Sequence, residues 1–148
     1  MIRMISFFLC LVVFNSVVRA EDLIMTRSSQ KFPEAMLTFQ TSIKDHGYQL
    51  TRVQRIDVGL TAKGYKTDKY RVVFLGKTDE IQYLVKKYPE LIAFMPPKAS
   101  IYAENDQTML VTANPGIFAD MVDDEDKVIF YRWESDVRSV FADVQNAD

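Results

Sequence analysis

The sequence predicts a single compact α+β domain, with a mixed or antiparallel sheet and helices packed on one face of it. Three observations predict this class. Strand-like and helix-like segments alternate along the chain, two late strand segments are joined by a tight turn, and no linker rich in proline, glycine or serine divides residues 21–148. Alternating elements that include a hairpin favour an α+β layer structure over a purely parallel sheet.

The first twenty residues have the order of a secretory signal peptide. A basic start at Arg3 precedes the apolar run 5–13, which is short for a membrane-spanning helix. Val18 and Ala20 then occupy the −3 and −1 positions before the bond between Ala20 and Glu21, where we expect cleavage. The mature domain would be residues 21–148, in the periplasm or secreted, without a stable membrane anchor.

The composition of the cleaved chain argues against several classes of function. Cleavage would remove Cys10, the only cysteine, so the domain would have no disulfide or thiol chemistry. The whole sequence already carries a net charge of −2, which argues against binding nucleic acid, because that partner calls for clustered basic residues. We expect no cofactor or metal, since one histidine offers too few ligands and no phosphate-binding fingerprint is present.

The first half of the domain is predicted to contain a strand, a helix, a second strand and a helical turn. Pro33 suits the first turn of the helix, and Gly47 suits the left-handed position that ends it. Apolar residues recur between them at helical spacing. We predict a strand at 23–28, a helix between Phe32 and Gly47, a strand at 48–53, and a helical turn from Val53 towards Gly64.

The strongest strand signal is the segment YRVVFL at 70–75, which is rich in β-branched and aromatic residues. Thr78 is well placed to cap the helix that follows, and Pro89 is expected to end it. The apolar stripe of this predicted helix consists of Ile81, Leu84, Val85 and Tyr88.

A long C-terminal helix is predicted over residues 127–146. The acidic run 123–126 precedes it, and we interpret this run as the solvated start of the helix, where the macrodipole favours negative charge. Glu134 and Arg138 form a favourable i, i+4 pair. The apolar stripe consists of Phe130, Trp133, Val137, Val140 and Val144.

A hairpin is predicted from the strands 98–104 and 108–112. Pro96 and Pro97 precede it, and they prevent a helix from continuing and force an extended entry into the strand. Alternation predicts an apolar face with Ala99, Ile101 and Ala103. We expect the polar face to carry Lys98, Ser100, Tyr102 and Glu104, and across the turn Thr108, Leu110 and Thr112.

A family resemblance covers about residues 23–118. It is carried by Phe32, Leu37, Ile43, Gly47, Ile56-Asp57, Gly64, the strand 70–75, Tyr88-Pro89, Met95-Pro96-Pro97-Lys98, Ile101-Tyr102-Ala103-Glu104 and Pro115. With these residues the chain resembles the domain-of-unknown-function 302 family of small bacterial α+β domains. It departs from the family pattern at Gly76-Lys77-Thr78, where Gly-Asn-Pro is common, and at Met95–Lys98, where Leu-Pro-Leu-Lys is usual. The resemblance implies a sheet-and-helix domain, often a dimer, with no catalytic residues to carry over.

Six residues are the candidates for ligand contact, and none is assigned a catalytic or metal-binding role. Lys98 and Glu104 share a face but lie roughly 20 Å apart along a strand, so each would border a cleft with residues of other elements. His46, at the end of the first helix, is expected to cap that helix rather than to act in catalysis. The candidates are Asp57, Tyr70, Arg71, Lys98, Tyr102 and Glu104.

Three functions stay open at this point. The first is a non-enzymatic binding or accessory module, which acts through a shallow cleft or a homodimer surface on a small molecule or a periplasmic protein. The second is a small hydrolase or isomerase with acid–base groups such as Asp57, Lys98 and Glu104. The third is a sensor of a small molecule or haem, which requires an apolar cavity near the central strand. Two titratable groups that converge in a pocket would indicate an enzyme, whereas separated groups would indicate a binding module.

Overall fold

In a computed structural model that describes residues 22–147, the chain forms five strands and four α-helices. The leader and the Ala20–Glu21 bond lie outside these residues. Two 3-10 helices, Pro89–Ala93 and Pro115–Met121, complete the regular structure. The elements are β1 (Leu23–Ser28), α1 (Phe32–Asp45), β2 (Gln49–Arg55), α2 (Ile56–Ala62), β3 (Tyr70–Gly76), α3 (Thr78–Lys87), β4 (Lys98–Glu104), β5 (Gln107–Ala113) and α4 (Lys127–Asn146).

The strands form one sheet in the order β1-β5-β4-β3-β2, and every neighbouring pair is antiparallel. This confirms the α+β class and decides between a mixed and an antiparallel sheet. Strand β4 lies in the middle of the sheet and β1 and β2 form its edges. The predicted hairpin is β4–β5, in which Glu104 pairs with Gln107 and Asn105 takes the positive φ of 55° that the tight turn requires.

Helices α1 and α4 cover one face of the sheet and close the hydrophobic core. Phe39 of α1 meets Phe141 of α4 edge to face, with ring centroids 5.9 Å apart. The predicted stripes of both helices are in this core, because a 3.6-residue period brings those side chains to one side. The sheet contributes Ile24, Val73, Leu75, Ala99, Ile101 and Leu110, and α4 contributes Phe130, Trp133, Val137, Val140, Phe141 and Val144.

Polar bonds between elements fix the helix layer above the sheet. The Trp133 indole donates to Glu80 Oε2 of α3 at 2.7 Å. The Tyr48 hydroxyl donates to Asp136 Oδ2 of α4 at 2.8 Å. Because these groups lie at or near the core boundary, each bond also satisfies a polar atom that would otherwise be costly to bury.

The polar face of the hairpin was predicted wrongly on its second strand. Leu110 pairs with Ile101, Thr108 with Ala103 and Thr112 with Ala99, and partners in an antiparallel pair project to the same face. Leu110 and Thr108 are therefore buried under the helices. The register across the turn decides which residues of β5 share a face with those of β4, and alternation within one strand does not contain that information.

One expectation at a helix start is wrong, and a second holds only in part. The N-cap of α3 is Lys77, not Thr78, whose hydroxyl is bonded to the Gln49 side chain instead. In the acidic run before α4, Asp123, Asp124 and Glu125 are exposed as expected, whereas Asp126 is only 5% exposed. Its carboxylate accepts hydrogen bonds from α3 rather than capping α4.

The joint before β4 behaves as predicted. Phe94 closes the first 3-10 helix, and β4 begins at Lys98 directly after the two prolines. The Met95–Pro96 bond is cis, and the Pro97 carbonyl accepts from the Leu75 amide of β3 at 3.0 Å. Gly47 ends α1 with a φ of 76°, as expected. Among the described helices, none is long and apolar enough to cross a membrane.

Candidate binding site

The six candidate residues are divided between the two faces of the sheet. Arg71 pairs with Ile101 and therefore lies on the side covered by helices, whereas its neighbour Tyr70 pairs with Tyr102 on the opposite side. We call that opposite side the open face. The candidates therefore do not border one common cleft.

Asp57 and Arg71 form an ion pair at the end of the helix-covered side. A hydrogen bond from the Arg71 guanidinium holds the pKa of the Asp57 carboxyl below its ordinary value. The guanidinium also lies over the Phe32 ring, 5.6 Å from its centroid. Both charged side chains are mostly buried and satisfied by each other. Because arginine stays protonated, Arg71 cannot act as a general acid, and its hydrogen bond favours the ionised form of the Asp57 carboxyl.

Three of the other candidates lie on the open face. The Tyr70 and Tyr102 rings meet edge to face with centroids 6.2 Å apart, and the Tyr70 hydroxyl is 3.4 Å from the Ser100 hydroxyl. Glu104 forms an ion pair with Arg27 of β1, with 2.7 Å between guanidinium and carboxylate. These contacts tie β1, β3 and β4 together at one end of the sheet.

Lys98 occupies the other end of β4, at a cavity of about 280 Å³. This cavity lies where the joint before β4 and the second 3-10 helix approach the ends of β1 and β5. It is lined by Leu23, Ala93, Phe94, Met95, Pro97, Lys98, Ser100, Val111, Thr112, Ala113, Pro115, Phe118 and Trp133. Lys98 is the single charged residue in this lining.

A chain of aromatic rings runs from the cavity surface into the core. Phe94, which is 45% exposed, stacks on Phe118 with centroids 4.8 Å apart. Phe118 lies 6.3 Å from Phe130, and Phe130 lies 5.4 Å from Trp133. Trp133 is 1% exposed and is the only tryptophan of the sequence, so its fluorescence reports on this cavity.

The sequence did not reveal this cavity. Phe94, Phe118 and Trp133 come from a joint, a 3-10 helix and α4, and the sequence pattern marks only Trp133, as part of the apolar stripe of α4. Lys98 alone was a candidate. No local pattern links these positions, because only the chain topology brings them together.

The family is decided by a match over most of the chain. The family model described as "Domain of unknown function DUF302" matches residues 24–143. The chain belongs to the DUF302 family. The match extends beyond Phe118, where the resemblance in the sequence ended, and includes most of α4.

A solved DUF302 structure supports the same fold. The crystal structure of an uncharacterized conserved DUF302 protein from Bacillus stearothermophilus superposes with a TM-score of 0.75 at 18% identity. The superposition covers 84% of this chain and 99% of that one. No curated protein matches this sequence. At such low identity the likeness establishes the fold and says nothing about a ligand.

A second polar cluster of this DUF302 domain joins α3 to the start of α4. Lys87 and Tyr88 donate to Asp126 Oδ2, each at 2.7 Å, and Tyr83 donates to the same carboxylate. Bonds from Lys87 and Tyr88 hold the pKa of Asp126 below its ordinary value. Burial, followed by the bond to Asp126, raises the pKa of Tyr88. Since the carboxylate is the shared acceptor of all three donors, the cluster is a structural anchor.

His46 ends α1 in this DUF302 domain, as expected. Its Nδ1 atom lies 2.9 Å from the Ser42 carbonyl oxygen and 3.7 Å from the Asp143 carboxylate. Ser42 in turn donates to Asp143 at 2.6 Å, so this contact joins α1 to α4. Across residues 22–147, no three histidine, cysteine, aspartate or glutamate side chains cluster in a way that could hold a metal ion.

Proposed function

We propose that this protein is an exported, non-enzymatic binding module that takes a small apolar molecule into the cavity beside Lys98. The observation that carries the proposal is the character of that cavity. Aromatic and aliphatic side chains form most of its wall, and a few polar groups lie among them. Small-molecule sites typically have this composition.

The positions of the titratable groups favour binding over catalysis. Asp57 is paired with Arg71 on the covered side, and Glu104 is paired with Arg27 on the open face. Lys98 is left at the cavity with no carboxylate among the lining residues. A hydrolase or isomerase needs an acid and a base that both reach one substrate, and these three groups do not meet.

The size of the cavity favours a small ligand over haem. A dry cavity of about 150 Å³ holds a benzene molecule, so a cavity of about 280 Å³ suits roughly ten non-hydrogen atoms. A porphyrin is much larger than that, and His46 is not part of the lining. The size of the cavity therefore argues against a haem sensor. A sensor of a small molecule remains compatible with it, and such a sensor is also a binding protein.

Titration with 1-octanol, a neutral apolar probe, tests the proposal. We expect 1-octanol to change the fluorescence of Trp133 saturably and to raise the melting temperature, because a ligand that binds only the folded state stabilises it. Ala113→Phe, which fills the cavity, should abolish both effects. Ala62→Phe, at an exposed position outside the cavity, should retain them. If 1-octanol has no saturable effect on the native protein, the proposal is overturned.

Export is supported by the signal-peptide order of the first twenty residues. Expression of the full sequence in a bacterium with a periplasm, followed by mass spectrometry, tests it. The expected product is a periplasmic protein that begins at Glu21. A cytoplasmic product that retains residues 1–20 would contradict export.

A second proposal concerns self-association, which the open face supports. Within residues 22–147, α1 and α4 pack on the opposite face and leave the open face uncovered by either helix. Two of its side chains, Leu23 and Met25, are 52% and 54% exposed. Apolar and aromatic side chains of this kind are typical of homodimer interfaces. The register also places on the open face the half-buried side chains of Tyr70, Val72, Phe74, Tyr102 and Val111, and the buried side chain of Met109.

Sedimentation velocity at tens of micromolar tests the dimer. We expect a dimer for the native protein and a monomer for Met25→Glu, because a buried unpaired charge opposes the contact. Leu37→Glu is the matched control, since Leu37 is 68% exposed on the outer side of α1 and should leave the dimer intact. A native protein that sediments only as a monomer would exclude this form of the proposal.

A further inference from the structure

We propose that the cavity selects monocarboxylates with an apolar body of about eight carbons, and that Lys98 is the residue that selects the carboxylate. This inference rests on the proposed function and names its ligand class. It follows from three features of the cavity: the charge of the lining, the free hydrogen-bond donors at Lys98 and Ser100, and the volume.

The charge of the lining is positive and uncompensated. Lys98 is exposed at the cavity, and among residues 22–147 no carboxylate forms an ion pair with its ammonium group. Two lysines outside the cavity, Lys87 and Lys127, are instead held by the carboxylates of Asp126 and Asp124. An unpaired ammonium beside an apolar wall is complementary to an anion, and charge-assisted bonds are stronger than neutral ones.

The neighbouring hydroxyl groups decide where the carboxylate lies. The Thr112 hydroxyl already donates to the Lys98 carbonyl oxygen at 2.8 Å. Within residues 22–147 the Ser100 hydroxyl has only the long 3.4 Å contact with the Tyr70 hydroxyl, so it can donate to a ligand. Lys98 and Ser100 are two residues apart and project to the same face of β4. Together they offer two donors at one side of an otherwise apolar cavity.

The rest of the cavity suits an unbranched or aromatic hydrocarbon. The Phe94–Phe118 stack and the edge of Trp133 form an apolar wall that cannot satisfy further polar groups of a ligand. The volume of about 280 Å³ corresponds to roughly ten non-hydrogen atoms. Octanoate has eight carbons and two oxygens and matches this size, about ten atoms in all.

A charge series of one chain length tests the inference. The probes are octanoate, 1-octanol and octylammonium, titrated near neutral pH against Trp133 fluorescence, with calorimetry as the second measurement. We expect octanoate to bind about tenfold more tightly than 1-octanol, the effect of one charge-assisted hydrogen bond, and octylammonium to bind more weakly than either. Added salt should weaken octanoate binding and leave 1-octanol binding unchanged.

Substitution of Lys98 isolates the role of its charge. Lys98→Met should remove the preference for octanoate and retain 1-octanol binding, whereas Lys98→Arg should retain the preference. Lys66→Met is the control, since Lys66 is an equally exposed lysine in the loop before β3. The salt dependence of the native protein tests the same point without a variant.

Each outcome distinguishes this inference from the function on which it rests. If 1-octanol and octanoate bind the native protein equally, or if octylammonium binds most tightly, carboxylate selection is wrong and the binding function stands. If 1-octanol does not bind the native protein, the binding function itself is wrong. Retention of the octanoate preference in Lys98→Met would show that another group selects the anion and would overturn the assignment to Lys98.

Discussion

The two faces of the sheet are built from alternate residues of the same strands, yet they have opposite environments. On the covered face Val73, Ile101 and Leu110 are fully buried under α1 and α4. On the open face Leu23 and Met25 are more than half exposed. Successive side chains of each strand point to opposite faces, but they do not alternate simply between apolar and polar, because both faces carry apolar side chains.

The difference separates residues that stabilise the fold from residues that are available for contacts. Burial of apolar surface stabilises the covered face within the single chain. The same kind of side chain on the open face contributes little until another molecule covers it. Substitutions on the two faces should accordingly affect different measurements: unfolding for the covered face, association and ligand binding for the open one.

The largest expected effect is that of Leu110→Ala on the covered face. Leu110 is fully buried at the centre of the sheet, so its truncation leaves a cavity and should lower the free energy of unfolding by about 3 kcal/mol. Met25→Ala on the open face should cost less than about 1 kcal/mol, because that side chain is already half in water. Urea denaturation measures both. Equal losses would mean that the open face is covered within the monomer.

The next effect concerns the anchor between α3 and α4. Asp126→Asn should lower stability near neutral pH by about 2 kcal/mol, because the carboxylate accepts a charge-assisted bond from Lys87 and a bond from the buried Tyr88. Chemical denaturation measures this loss. Asp106→Asn, in the exposed hairpin turn, is the matched control and should have little effect.

The same anchor predicts a dependence of stability on pH. The folded pKa of Asp126 lies below its unfolded value of about 3.9, so its contribution is complete above that pH and is lost as the pH falls through the folded pKa. Denaturation of the native protein across this range should therefore show falling stability, with a shallower fall in Asp126→Asn. Asp57 and Asp124 also have lowered pKa values, so some of the fall should persist in the variant. An unchanged slope would contradict the assignment.

A smaller loss is expected at the Tyr48–Asp136 bond. Tyr48→Phe removes a hydroxyl that donates at 2.8 Å and should cost about 1 kcal/mol. Tyr131→Phe is the control, because Tyr131 is 53% exposed on α4 and its hydroxyl has no hydrogen-bond partner among residues 22–147. Thermal unfolding of the two variants compares them. A larger loss for Tyr131→Phe would place the important contact elsewhere.

The smallest effect is expected for the exposed ion pair of the open face. Glu104→Gln removes the charge that faces Arg27 and should change stability by less than about 1 kcal/mol, since exposed pairs are screened by water and salt. Comparison at low and high salt tests this. A loss as large as that of Asp126→Asn would show that Glu104 is covered by a partner, which a dimer through this face would explain.

Much of the fold was predictable from the sequence because it depends on local periodicity. The strand at β3, the stripes of α1 and α4, the glycine that ends α1 and the hairpin turn each follow from spacing within a few residues. The hairpin register is not predictable in this way, so the prediction puts Thr108, Leu110 and Thr112 on the wrong face. One residue of slip exchanges the two faces of a strand, and only the pairing partner determines which face is buried.

The sequence by itself determined the α+β class, the family and the alternation of elements. Only the tertiary structure decided how the candidate residues are grouped. It paired Asp57 with Arg71, placed Tyr70, Tyr102 and Glu104 on the open face, and left Lys98 beside a cavity lined by Phe94, Phe118 and Trp133. The physical reason is that secondary structure follows from interactions between near neighbours in the chain. A cavity is the space left between elements distant in sequence, and its shape depends on how all of them pack.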